Sequence, residues 1–121
     1  MLIGMTMDKE KEMIVPFTEG EYVRVFNSDT GNLEDAKNPS LHLSEGRRGV
    51  VVNWFYEQGV ELICSPPNTF CELSYENAKE KKMSFYTFEK DISFLKFKRK
   101  LEAEDISLTS HIKKENILKS N

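Results

Sequence analysis

The chain has 121 residues, a length typical of one domain that buries a core without disulfides or bound metal. Its 39% hydrophobic content argues against a disordered protein, and its net charge of −3 argues against a general attraction to nucleic acid or anionic membranes. No apolar run approaches the roughly 20 residues that span a bilayer, and no export signal opens the sequence. We therefore expect a cytoplasmic protein with two free thiols and with neither nucleic acid nor membrane among its partners.

The first third of the chain predicts three strands that follow a flexible N-terminal segment. Residues 1–12 are only briefly apolar before a charged run, and we expect them to be flexible. Residues 13–17 predict a short buried strand, which Pro16 ends or confines to a sheet edge. Residues 22–26 alternate as a half-buried strand does, and a weaker strand follows at 33–37. The short connections between these strands predict an antiparallel meander.

The hydrophobic period then changes to that of helices alternating with strands. Ser44 is the predicted cap of a first helix, and Gly59 its predicted end. The remaining predicted elements are a strand at 60–64, a helix at about 70–82, a strand at 83–87 and a helix at about 89–102.

The order β-β-β-α-β-α-β-α predicts an α/β fold with a mixed five-stranded sheet in a three-layer α/β/α arrangement. The predicted domain covers residues 13–102. The polar residues 103–121 are expected to form a C-terminal tail that either adds a short helix or is ordered by a partner chain.

The turn between Gly59 and Glu72 carries the strongest functional signal. Cys64 lies at the carboxyl end of a predicted strand, and Cys71 lies in the first turn of the next predicted helix. Thr69 can cap that helix, with Glu72 completing a capping box. Ligand sites of open α/β sheets form where strand ends meet the positive ends of helices, so this turn is a predicted ligand site.

Three residues are candidate metal ligands: Cys64, Cys71 and His42. Thiolates favour Zn²⁺ and iron–sulfur clusters, and a neutral imidazole also binds metal. The two cysteines are seven positions apart in the sequence, which is not a chelate spacing known from zinc or cluster motifs. The alternative is that Cys64 is a buried small hydrophobe and that Cys71 merely faces the first helix. For His42 the alternative is a loop histidine bonded to backbone.

Three further residues, Asn68, Thr69 and Arg47, are candidates for binding an anionic ligand. Asn68 and Thr69 precede free amides at a helix start, which is a favourable place for an anion. Arg47 and Arg48 open the first helix, where cations oppose the helix dipole and an anionic partner would offset that repulsion. Helix capping and a solvated turn are the alternative explanations.

Several small motifs together resemble the dinitrogenase iron–molybdenum cofactor biosynthesis family of nitrogenase accessory factors. The matching residues are Val15-Pro16 in the first predicted strand, Phe26 with Asp29-Thr30-Gly31, Asn38-Pro39 with His42, Gly59-Val60 and Phe85-Tyr86. The resemblance covers about residues 13–101. The family's His-Phe-Gly signature between its first two strands has no counterpart here.

The resemblance implies a ribonuclease H-like domain that binds an iron–sulfur or iron–molybdenum cluster precursor without acting as an enzyme. Partners implied in that case are metallocluster assembly proteins. A homodimeric interaction module without metal and a thiol-based redox enzyme are the alternative functions. A ribonuclease H-type nuclease is disfavoured, because residues 13–17 contain no carboxylate.

Overall fold

The computed structural model describes residues 1–88, 92–106 and 108–119. The strands are β1 (Leu2–Met7), β2 (Met13–Val15), β3 (Tyr22–Asn27), β4 (Leu33–Lys37), β5 (Leu62–Ser65), β6 (Ser84–Thr87) and β7 (Ile92–Ser93). The helices are α1 (Arg47–Glu57), α2 (Glu72–Glu80) and α3 (Phe94–Glu102), and a 3-10 turn lies at Lys114–Asn116. The predicted α/β class is confirmed. The start of the third predicted helix, at 89–91, lies outside the described residues.

The strands form one mixed sheet around β1. On one side, β3 pairs with β1 along its whole length in antiparallel register, and β4 lies outside β3. On the other side, β5 pairs with β1 in parallel and β6 pairs with β5 in parallel. The short β2 pairs with the last residues of β1, and β7 pairs with β2. The described sheet therefore has seven strands, and the five predicted strands correspond to β2–β6.

The prediction that residues 1–12 are flexible is wrong, because β1 is the central strand of the sheet. Ile3, Met5 and Met7 are completely buried. A strand in this position has both faces covered, so it reads as a short apolar run without the alternation that marks a half-buried strand. This result also corrects the resemblance: Val15 and Pro16 belong to the short strand β2 and its end, and the first strand is β1.

The two faces of the sheet bury two separate apolar clusters. On one face, Val51 and Phe55 of α1 and Ala78 of α2 pack over Ile63 and Phe85. On the other face, Phe97 of α3 packs with residues that include Ile3, Met5, Leu62 and Cys64. Neighbouring residues of β5 thus belong to different clusters, because successive side chains of a strand point to opposite faces of the sheet. Helices therefore pack on both faces of the sheet.

The C-terminal segment, residues 108–119, is attached to the domain rather than free. Thr109 and Phe85 exchange two backbone hydrogen bonds, and the Leu118 amide donates to the Phe70 carbonyl at 2.8 Å. Ile112 is buried against the α1–α2 face, and its amide donates to the Tyr75 hydroxyl at 3.0 Å. The predicted boundary at residue 102 therefore cuts through part of the packed domain. None of the helices in the described ranges has the length and apolar character needed to cross a membrane.

Candidate functional site

Cys64 lies at the end of β5, but its side chain is in the core on the α3 side of the sheet. It is 1% exposed and packs in the same cluster as Met5 and Leu62. Burial raises the pKa of the Cys64 thiol well above its ordinary value, because the apolar surroundings disfavour the thiolate. Cys64 is therefore a small core residue, and the structure does not place it in an open site.

Cys71 is the N-cap of α2. Its sulfur accepts a hydrogen bond from the Ser74 amide at 3.5 Å, and the Ser74 hydroxyl accepts one from the Cys71 amide at 2.9 Å. The two residues form the capping box of this helix. The predicted capping box of Thr69 and Glu72 is therefore wrong, and the true box begins two residues later. Cysteine is not a usual N-cap residue, so the sequence pattern favoured the hydroxyl of Thr69. Cys71 is partly exposed on the α1–α2 side, so the two thiols lie on different faces of the sheet.

Thr69 and Asn68 belong to the turn that leads into α2. The Thr69 hydroxyl donates to the Pro66 carbonyl at 2.8 Å and is buried. Asn68 adopts a left-handed conformation with φ of 63°, and its amide donates to the Asn116 carbonyl at 2.8 Å. Both residues hold the turn and the C-terminal segment together, and neither lines the pocket described below.

His42 is an exposed residue of the loop before α1. The described part of the chain contains no group of three or more histidine, cysteine or acidic side chains arranged to hold a metal ion. The structure thus does not bring Cys64, Cys71 and His42 together as ligands of one metal.

A pocket lies between the N-terminal ends of α1 and α2, and we call it the Arg–Lys pocket. Its volume is about 400 Å³. Its lining residues come from both helix starts and from the C-terminal segment: Gly46, Arg47, Arg48, Gly49, Cys71, Leu73, Ser74, Asn77 and Lys119. Of the residues predicted as site candidates, Arg47 and Cys71 meet here.

The electrostatics of the Arg–Lys pocket favour an anion. Three of its lining side chains are cationic, and no described carboxylate lines it. Gly46 caps α1 without a side-chain hydrogen bond, and the first turn of α1 has no acidic residue. The first amides of α1 therefore lack the side-chain acceptor that usually satisfies them, and the positive end of the helix dipole adds to the charge. The predicted cap Ser44 lies two residues before Gly46 and is wrong.

Arg47 and Arg48 are positioned differently in this pocket. The Arg47 guanidinium donates to the Ser40 carbonyl at 3.1 Å and to the Thr18 carbonyl at 3.3 Å. These bonds fix the arginine without neutralising its charge. The Nε of Arg48 is buried and has no hydrogen-bond partner among the described residues. A ligand with an acceptor atom would supply the hydrogen bond that this Nε lacks.

Sequence reasoning identified Arg47 and Cys71 but missed Lys119 and Ser74. The signal available for Ser74 was its position three residues after Cys71, which is the capping-box spacing. Lys119 has no local signal, because its place in the pocket depends on how the C-terminal segment folds back across the domain.

No protein-family model and no curated protein matches the sequence. Solved structures do match the fold. The orange protein from Desulfovibrio gigas, in its apo form, superimposes with a TM-score of 0.76 at 12% identity, covering 93% of this chain and 96% of that one. A putative NifB protein from Thermotoga, assigned to the DUF35 family, gives a TM-score of 0.69 at 17% identity, with coverages of 94% and 97%. At these identities the likeness shows a shared fold over nearly the whole chain.

Proposed function

We propose that this protein is a non-enzymatic carrier that holds an anionic metal–sulfur cluster as cargo in the Arg–Lys pocket. The observation that carries the proposal is the positive charge of the pocket. Three cationic side chains line it, and no described carboxylate does. A cluster of sulfide-bridged metal with net negative charge is attracted by these cations and by the positive end of α1. The partners implied are proteins that deliver the assembled cargo and receive it.

The cargo would enter preassembled, because the pocket offers too few ligands to build a cluster. Cys71 is the one thiol among its described lining residues, and the described chain holds no group of three potential metal ligands. A cluster that already carries its sulfides needs charge neutralisation, hydrogen-bond donors and at most one protein thiolate. The Ser74 hydroxyl and the Asn77 side chain are further polar groups of the lining.

The fold supports the same proposal. The orange protein is known in an apo form, which is the state of a binding protein without its bound group, and the second neighbour is described as a putative NifB protein. The strand order β4-β3-β1-β5-β6, with β3 antiparallel to β1, fits the ribonuclease H-like layout that the sequence resemblance implies. In this proposal β2 and β7 are additions to that layout.

Anaerobic incubation with a preassembled synthetic iron–sulfur cluster of net negative charge, followed by desalting, tests the proposal. The wild-type protein should retain iron and sulfide after desalting and show charge-transfer absorption. The double variant Arg47→Met, Arg48→Met should lose most of this absorption, because each lost cation weakens anion binding by roughly tenfold, or about 1.4 kcal/mol. Cys71→Ser should lower the yield if the thiolate is a cluster ligand.

Two matched controls separate the pocket from general effects. Lys96→Met, Arg99→Met removes two cations from α3, which packs on the other face of the sheet, and should leave the absorption unchanged. Cys64→Ala removes the buried thiol and should also leave it unchanged. A colourless, iron-free wild-type protein would refute the cluster proposal, and equal colour in all variants would show that the cluster binds elsewhere.

A further inference from the structure

The C-terminal segment has a firmly anchored part and a lightly held part. The anchored part is tied to the domain by the two backbone hydrogen bonds between Thr109 and Phe85 and by the buried side chain of Ile112. In residues 113–119, which we call the strap, every side chain is exposed or half-buried. Ile117 packs against the edge of the α1–α2 cluster while only half-buried. The strap therefore buries little apolar surface.

Among the described residues, three backbone hydrogen bonds hold the strap against the turn that leads into α2. The Asn68 amide donates to the Asn116 carbonyl at 2.8 Å. The Leu118 amide donates to the Phe70 carbonyl at 2.8 Å, and the Glu72 amide donates to the Leu118 carbonyl at 3.0 Å. A segment with few hydrogen bonds and little buried apolar surface opens locally at a lower free energy than the whole domain. The strap can therefore detach while the sheet and the helices stay folded.

The end of the strap borders two cavities. One is the Arg–Lys pocket, to which the strap contributes Lys119. The other has a volume of about 380 Å³ and is lined by Glu72, Tyr75, Glu76, Lys114, Ile117 and Lys119. Of the described residues, Lys119 alone lines both cavities. Detachment of the strap would therefore remove one cation from the wall of the Arg–Lys pocket.

Lys119 brings a third positive charge to a pocket that already has two. Arg47 and Arg48 line the same pocket, and no described carboxylate does. Like charges repel one another, so an empty pocket opposes docking of the strap, and Glu72 and Glu76 on the other side of Lys119 offset only part of this repulsion. An anion in the pocket attracts all three cations and so favours the docked strap.

We infer that the strap is an anion-coupled closure of the Arg–Lys pocket, which docks more firmly when the pocket holds an anion and detaches more readily when the pocket is empty. Lys119 carries the coupling. Coupling between two equilibria is reciprocal, so the factor by which an anion stabilises the docked strap equals the factor by which the docked strap strengthens anion binding. The inference rests on the anion preference of the pocket, as the proposed function does, but not on the identity of the cargo.

Hydrogen exchange of backbone amides, followed by NMR on the full-length protein, tests the inference. Inorganic pyrophosphate serves as a compact anionic probe, with chloride at equal ionic strength as the reference. Without the probe, the amides of Asn68, Glu72 and Leu118 should be protected at least roughly tenfold less than the amide of Phe85, which is bonded to the anchored Thr109. Saturating pyrophosphate should slow exchange of the three strap-bonded amides by roughly fivefold.

Lys119→Met and Lys114→Met form a matched pair. Each removes one lysine charge from the strap, and of the two only Lys119 lines the Arg–Lys pocket. Lys119→Met should weaken pyrophosphate binding in calorimetry by the same factor of roughly five, and pyrophosphate should no longer slow exchange of the strap-bonded amides. Without pyrophosphate these amides should be protected at least as well as in the wild type, because the repulsion is reduced. Lys114→Met should keep both responses.

Strap-bonded amides that are protected as well as that of Phe85 overturn the inference, as does exchange that pyrophosphate leaves unchanged. Equal effects of the two lysine variants also overturn it, because they indicate a general effect of charge. Retention of the preassembled cluster without slower exchange at the strap overturns the closure and leaves the carrier function standing. Slower exchange with pyrophosphate in a protein that retains no cluster supports the closure and removes the carrier function.

Discussion

Substitution of Gly4 by alanine tests whether β1 is the buried centre of the domain. A Cβ built on Gly4 lies 2.7 Å from Cδ1 and 2.9 Å from Cε1 of Phe55. Favourable contacts between carbon atoms begin near 3.5 Å, so the methyl group overlaps the ring by roughly 0.8 Å. Phe55 is completely buried, and its ring lies 6.2 Å from that of Phe17 and 5.6 Å from that of Trp54. The ring is therefore enclosed by the core, and a shift of its position disturbs neighbouring aromatic side chains.

The expected cost of Gly4→Ala is about 1–3 kcal/mol in the free energy of unfolding, the range for overpacking a core. The φ angle of Gly4 is not in the left-handed region, so alanine adds no backbone strain. Alanine even restricts the unfolded chain more than glycine does, which offsets about 0.4–1 kcal/mol of the loss. For a domain of this length, a net loss of about 2 kcal/mol lowers Tm by roughly 5–10 °C.

Urea unfolding followed by circular dichroism measures this free energy, and Gly49→Ala provides the control. Gly49 lies in the first turn of α1, and a Cβ built there meets no atom within 4 Å. That variant should be more stable than the wild type by up to about 1 kcal/mol, because alanine is the better helix former. The double variant Gly4→Ala, Phe55→Leu should lose less free energy of unfolding than the sum of the losses in the two single variants. If Gly4→Ala is as stable as the wild type, Gly4 of β1 does not pack directly under Phe55 of α1.

Three further predictions concern charge, thiol reactivity and the C-terminal segment. Asp35→Asn should lower stability at neutral pH by about 1–3 kcal/mol, because Asp35 accepts two hydrogen bonds from the nearly buried Arg24, at 2.7 and 2.9 Å. The hydrogen bond and charge of Arg24 hold the pKa of Asp35 below its ordinary value, so the Asp35 contribution is present above pH 4 and is lost as the pH falls through that lowered pKa. Urea midpoints at pH 7 and pH 3 should therefore differ less in the variant than in the wild type, and an equal difference would contradict this role. Cys71 should react with iodoacetamide in the native protein much faster than Cys64, which should react only after unfolding; peptide mass spectrometry measures both, and equal rates would contradict the burial of Cys64. Ile112→Ala should cost about 2 kcal/mol in urea unfolding, whereas alanine at the exposed Leu108 should change little, and equal effects would show that the segment is not packed.

Much of the order of strands and helices could be predicted because it depends on local sequence patterns. The strands β3 and β4 and the helix α1 were predicted within two or three residues, since alternation and helical spacing depend only on neighbouring side chains. The helix α2 was expected at Phe70 and begins at Glu72, because two possible capping residues, Thr69 and Cys71, compete within one turn. Arg47 and Cys71 were identified from helix starts, which are also local features.

The sequence by itself determined an α/β domain with an anion-favouring pair of arginines at a helix start. Only the tertiary structure decided that residues 2–7 form the central strand, because a strand covered on both faces carries no amphipathic period. It also decided that the two cysteines lie on different faces, since the register of β5 turns Cys64 toward α3 whereas Cys71 caps α2 on the opposite face. The placement of Lys119 in the same pocket as Arg47 and Arg48 depends on contacts between residues far apart in the chain. Such contacts leave no signal in neighbouring residues, so the pocket became visible only in the fold.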